Sequence, residues 1–102
     1  MQAGKMKFDY DELEDDLFVY NPNCKSKSSI EVGDIILDLN NKKELVGIEF
    51  MNATNFLGNK ELLKSLKDCS LEVRKLKGWM ILKLKLTSKN RIIEPIINIP
   101  IK

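Results

Sequence analysis

Asp9, Asp11 and Asp15 in the stretch DYDELEDD stand at the first, third and seventh positions of a calcium-loop count. Such a loop also needs an oxygen donor at the fifth position, glycine at the sixth and a bidentate glutamate at the twelfth. This chain has Leu13, Glu14 and Tyr20 there, so an EF-hand site is excluded. Five of the six residues 11–16 are acids, which keeps this segment out of any core. It reads as a solvated turn that could at most attract a divalent ion loosely. A second set of acids, Asp34, Asp38 and Glu49, lies in VGDIILDLNNKKELVGIEFMNAT, residues 32–54. General acid–base chemistry needs two carboxyls in a cleft with their pKa values driven apart. Asp38 and Glu49 instead alternate with apolar residues, as the wet face of a strand does. Asp34 follows Gly33 and reads as a turn residue. This hairpin is expected to be scaffold, with Ile48 and Phe50 buried and with Asp38→Asn and Glu49→Gln nearly neutral for stability.

The chain has no histidine. That removes Ser-His-Asp and Cys-His nucleophiles, HExxH metal chemistry and most zinc sites. The five glycines are scattered and form no phosphate-cradling loop. No enzyme activity and no cofactor are expected. Cys24 and Cys69 lie 45 positions apart, match no metal or redox spacing, and read as two reduced thiols.

The net charge of +2 conceals a division. Residues 1–50 carry 6 Lys/Arg against 11 Asp/Glu, and residues 51–102 carry 11 against 4. The basic half holds the candidate anion-binding set: Arg74, Lys75, Lys77, Trp79, Lys83 and Lys85, with Arg91 nearby. In WMILKLKLT, Trp79, Ile81, Lys83 and Lys85 share one face of a period-two strand. A hairpin through Gly78 would set Lys75 and Lys77 alongside as a basic ladder with an aromatic. Charge and stacking of that kind can hold single-stranded nucleic acid. A lysine-rich solvated face that blocks edge-to-edge aggregation is the plainer reading.

The elements that position these residues follow from periodicity. Residues 5–10, 17–20, 29–32, 35–39, 45–51 and 79–87 alternate or run apolar as strands do. Asn21-Pro22-Asn23 ends the second strand, and NNKK (40–43) is turn chemistry, since asparagine tolerates the left-handed conformation. Gly47 weakens a strand and signals a close neighbour or a bulge. Only NATNFLGNKELLKSLKDC (52–69) suggests a helix, with Asn59 as cap and Leu62, Leu63 and Leu66 at helical spacing. Residues 1–5 are set aside as a tail. The fold class is therefore α+β, mostly β: an antiparallel meander or rolled sheet with one short helix, in a single domain over 1–102. The expected core is Phe8, Leu17, Val19, Ile35, Leu37, Val46, Ile48, Phe50, Leu82 and Leu84.

The final segment, RIIEPIINIPIK, is apolar on both faces and carries two prolines, which place it at a sheet edge. An uncovered isoleucine-rich edge invites aggregation. Ile92, Ile96, Ile97, Ile99 and Ile101 are the candidate interface, covered by a second copy in a homodimer or by the helix within one chain. No apolar run reaches the length of a membrane span, and the N-terminus has no secretory pattern. A cytoplasmic location is expected, with no membrane partner.

YDELEDDLFVY (10–20), EVGDIILDL (31–39) and LVGIEFMNAT (45–54) resemble, in order and spacing, the domain-of-unknown-function 2283 family over about residues 6–57. Glu12 replaces that family's usual proline and Leu13 its usual acid. The resemblance implies a small β-rich fold and carries no established activity or catalytic residues. The functional expectation is a non-catalytic protein-interaction module, self-associating through its β edges or binding a protein partner. Nucleic-acid or anion binding by the basic hairpin is the alternative.

Overall fold

The computed structural model describes residues 2–101, with side chains described from residue 4. Its strands run β1 (Gln2–Asp11), β2 (Asp16–Tyr20), β3 (Ser28–Val32), β4 (Ile35–Leu39) and β5 (Leu45–Phe50). Two helical turns follow, α1 (Thr54–Leu57) and α2 (Lys60–Lys64). Then come β6 (Leu66–Leu76), β7 (Trp79–Ser88), β8 (Ile92–Ile93) and β9 (Ile96–Pro100). The pairings are antiparallel, in the order β3-β4-β5-β2-β1-β6-β7-β8, with β9 also on β7. The mostly β, α+β class is as expected.

The order is not a plain meander. β2 pairs with β5, and the 21–27 connection carries the chain out to β3 at the edge, as in a Greek key. The register explains the choice. Leu17 faces Phe50 and Val19 faces Ile48, so four fully buried side chains meet on one face. A one-residue slip would turn all of them to solvent.

β1 belongs to both halves of the sheet. Lys7–Asp11 pair with β2, whereas Gln2–Met6 pair with β6. Residues 2–5, set aside above as a tail, are thus part of this central strand. The halves roll around a single core containing Leu17, Ile48 and Phe50 from one and Leu71, Leu82 and Leu84 from the other. The expected core residues are all buried except Phe8, which packs against the core but is half-exposed.

Two turns depart from simple alternation. The register slips between Asp38 and Leu39, so that Leu39 faces Leu45 and Val46 is an extra residue. That bulge returns Leu45 to the core, although strict alternation puts it outside. In the 40–44 turn the left-handed residue is Lys43, not an asparagine. The Asn40 carboxamide oxygen accepts from the backbone N–H of Lys42 and Glu44, which closes the turn. Gly47 leaves room for close neighbours. A Cβ there would lie 3.2 Å from Asp38 Oδ2 and 3.5 Å from the Phe18 ring.

The helical stretch divides in two at Gly58, whose φ of 108° no other residue adopts easily. Asn59 caps α2 as expected, accepting from the Leu62 N–H at 2.8 Å. Leu62 and Leu63 are buried, but Leu66 already begins β6. No helix among the described residues is long and apolar enough to cross a membrane.

Candidate functional site

The β6–β7 hairpin turns over Lys77 and Gly78, with Gly78 at φ 78° and Leu76 facing Trp79. Cys69, Leu71 and Val73 on β6 and Met80, Leu82, Leu84 and Leu86 on β7 fill the core. The opposite parity therefore forms an outer face. It carries Arg74 and Leu76 beside Ile81 and Trp79, with Glu72 directly across from Lys83 and Ser70 across from Lys85. β9 adds Ile96 beside Lys83 and Pro100 beside Trp79, and Ile92 of β8 stands beside Thr87.

This geometry divides the predicted basic ladder. Arg74, Trp79, Lys83 and Lys85 do share a face. Lys75 does not: it pairs with buried Met80, on the core-facing parity. Its Nζ donates to the Lys43 carbonyl at 3.0 Å and ties the β6–β7 hairpin to the β4–β5 turn. Lys77 sits in the turn itself. The shared face is also not uniformly basic, because Lys83 lies 3.8 Å from Glu94 and directly across from Glu72.

The predicted isoleucine interface divides the same way. Ile99 is buried in the chain's own core, and Ile97 and Ile101 pack against it. Ile92 and Ile96 remain 57% and 62% exposed. Leu76 and Trp79 lie on the same outer face, 51% and 46% exposed. Four of the seven large apolar side chains exposed among the described residues thus share one side of β6–β9. Both prolines are at its margin. Pro95, between β8 and β9, accepts from the Leu84 N–H at 3.0 Å, and Pro100 ends β9.

The acids of the first half resolve into two structural arrangements. Asp15 of the acidic turn, at φ 55°, is not merely solvated. It accepts from Tyr10 Oη at 2.6 Å, from Thr54 Oγ1 at 2.7 Å and from the Thr54 N–H at 3.2 Å. Burial works against the Asp15 charge, but the bonds from Tyr10 and Thr54 outweigh it and hold the carboxyl below its usual range. Burial, followed by the bond to Asp15, pushes the Tyr10 hydroxyl well above its ordinary value. Asp11 accepts from the N–H groups of Leu13 and Glu14 and so shapes the turn.

On the outer face of β2, β4 and β5, Asp38 accepts from Ser29 Oγ at 2.7 Å. Glu49 is pushed up to about 7 by hydrogen bonding to Asp16, then by burial and the charges of Asp16 and Asp38. Asp16 Oδ1 is buried and without a hydrogen-bond partner among the described residues. The expectation that Glu49 is a plain wet-face acid is therefore corrected. A carboxyl whose folded pKa is raised holds a proton that the unfolded chain releases, so stability falls as pH rises from about 4.5 to about 7. Glu49→Gln should flatten this slope and raise stability at alkaline pH by about 1 kcal/mol, the partial exposure reducing the full linkage value. Urea denaturation across that pH range measures it; an unchanged slope in the variant assigns the effect elsewhere.

Burial pushes the Cys69 thiol up to about 12, which leaves it unreactive, and Cys24 is exposed and unpaired. Among the described residues no group of three or more His, Cys, Asp or Glu side chains could hold a metal. Sequence reasoning missed Asp15 and the Asp16–Glu49 pair, because both depend on which strands become neighbours.

A protein of Methanocaldococcus jannaschii described as uncharacterised is 39% identical over 64 residues, covering 61% of this chain and 55% of that protein. The chain thus spans about half of that relative's length. A Methanosarcina mazei protein named "Putative hypoxanthine phosphoribosyltransferase" is 32% identical over 91 residues, covering 86% of this chain and 74% of that protein. No solved structure matches the chain. The family model for DUF2283, proteins of unknown function, matches residues 7–53, the segment running from the sheet switch in β1 through β5. That match agrees with the resemblance read from the sequence: residues 7–53 carry the DUF2283 pattern of proteins of unknown function, and the remainder of the chain lies outside it.

Proposed function

We propose that this chain is a small non-catalytic protein-interaction module that self-associates through the outer face and edge of β6–β9. One observation carries the reading: Leu76, Trp79, Ile92 and Ile96 are exposed together on one side of the sheet. Several large apolar side chains exposed on one face are typical of association surfaces, with tryptophan a frequent anchor. The charges on that face favour a second copy as occupant. Arg74, Lys83 and Lys85 stand among Glu72 and Glu94, so a two-fold related face offers opposite charge to each.

The same mixture weakens the anion-binding alternative, since carboxylates beside Lys83 would repel a phosphate backbone. Salt separates the two readings, because phosphate contacts weaken steeply with ionic strength and apolar contacts do not. Sedimentation equilibrium at micromolar concentration is the test. The wild type should be dimeric, and Ile96→Lys should weaken association at least about tenfold with an unchanged circular dichroism spectrum. A monomeric wild type, or a dimer indifferent to Ile96→Lys and Trp79→Lys, would refute the proposal.

A further inference from the structure

A strand that changes sheets leaves its neighbours unevenly paired. β2 ends where Tyr20 meets Lys7, and the chain turns away at Asn21-Pro22-Asn23. On the other side β6 meets β1 only as far as Cys69, opposite Met6. Below that point the register of β6 against β7 slips between Leu66 and Asp68, so Lys67 is an extra residue with no partner across the ladder. Bulges of this kind re-aim a side chain. The result is an open cleft of about 580 Å³ whose lining includes Lys5, Met6, Lys7, Phe8, Pro22 and Lys67.

We propose that this cleft binds a small organic anion: a phosphate, sulfonate or carboxylate group carried on an apolar body. The volume lies within the range of small-molecule sites, about 300–1,000 Å³. The charge is uncompensated. Asp68 pairs with Lys5 at 3.5 Å, whereas Lys7 and Lys67 have no ion pair among the described residues. Asn21 also lines the cleft; its carboxamide oxygen accepts from the Asn23 N–H at 3.0 Å, which leaves its NH₂ as a donor. Met6, Phe8 and Pro22 contribute the apolar lining, and Phe8 is only partly buried. Two ammonium groups and an amide donor beside a partly apolar lining suit an anion carried on an apolar body. The site is separate from the β6–β9 outer face and does not depend on the self-association proposed there.

Naphthyl phosphate titrated into the full chain, followed by amide NMR, tests it. Saturable shifts are expected at Lys7, Phe8, Asn21, Asn23 and Lys67. Lys7→Glu and Lys67→Glu, both at exposed positions, should each weaken binding at least about tenfold. Lys85→Glu should leave it unchanged, and naphthol, which lacks the phosphate, should bind at least about tenfold more weakly. Shifts confined to the β6–β9 face, equal binding of naphthol, equal loss in Lys85→Glu, or no saturation would each overturn the proposal. Circular dichroism of each variant confirms that the fold is retained.

Discussion

Phe50→Ala should destabilise the protein by about 3–5 kcal/mol, the range for truncating a fully buried aromatic. Phe50 is fully buried in β5 and sits between Leu17 on β2 and Ile35 on β4. Its ring also meets Phe56, from the α1 turn, at a centroid distance of 6.0 Å. The truncation therefore opens a void where three strands and a helix meet. Neighbours held on separate strands cannot collapse into such a space, so the cost belongs at the upper end. Against a total of about 5–15 kcal/mol for a domain of this size, that is a large part of the whole. The measurement is the denaturation midpoint in urea, with Ile36→Ala, on the half-exposed face of β4, as the comparison. A loss at Phe50 no greater than at Ile36 would mean that the β2–β5–β4 register is wrong.

Asp15→Ala should cost about 2–3 kcal/mol at neutral pH, although it removes only an acid from an acidic turn. The carboxylate accepts three charge-assisted bonds that join the end of β1, the start of β2 and the first turn of α1. Its loss leaves the Tyr10 hydroxyl and the Thr54 N–H and hydroxyl without their acceptor, at about 1 kcal/mol or more each if they stay dry. The pH dependence is diagnostic. A carboxyl held below its ordinary value of 3.8 stabilises the fold above that value, and the contribution is lost as pH falls below it. Wild type and variant should therefore converge in stability in acid and diverge toward neutrality. Glu14→Ala, one residue away and exposed, should be nearly silent. Equal effects at Glu14 and Asp15 would return the whole turn to the status of a solvated loop.

These residues also mark how far reading along the chain can reach. Ile48 and Phe50 were legible as core because alternation is local: in a strand, residues two apart face the same way whatever the neighbours are. The same regularity placed Trp79, Ile81, Lys83 and Lys85 on one face, found the Asn59 cap, and set the proline-bearing segment at the margin of the sheet. Lys75 was assigned wrongly because its parity relative to β7 depends on the two-residue hairpin turn, which decides whether it stands beside Met80 or beside Lys83. Leu45 escapes a reading by alternation because one bulged residue at Val46 inverts the alternation beyond it. Asp15 looked like any other acid of its turn, since its partners Tyr10 and Thr54 meet it only after β1, β2 and α1 have packed.

The sequence by itself determined that this is a small β-rich chain without histidine chemistry, whose apolar residues alternate well enough to build one core. Tertiary structure alone decided which strands became neighbours. It thereby made Asp15 a clasp, set Glu49 against Asp16, and gathered four apolar side chains on one outer face. It also opened a lysine-lined cleft where β1 passes from one half-sheet to the other. Facing within a strand is set by backbone geometry over two residues. Proximity between strands is set by which registers bury the most apolar surface across the whole chain, and no local pattern records that sum.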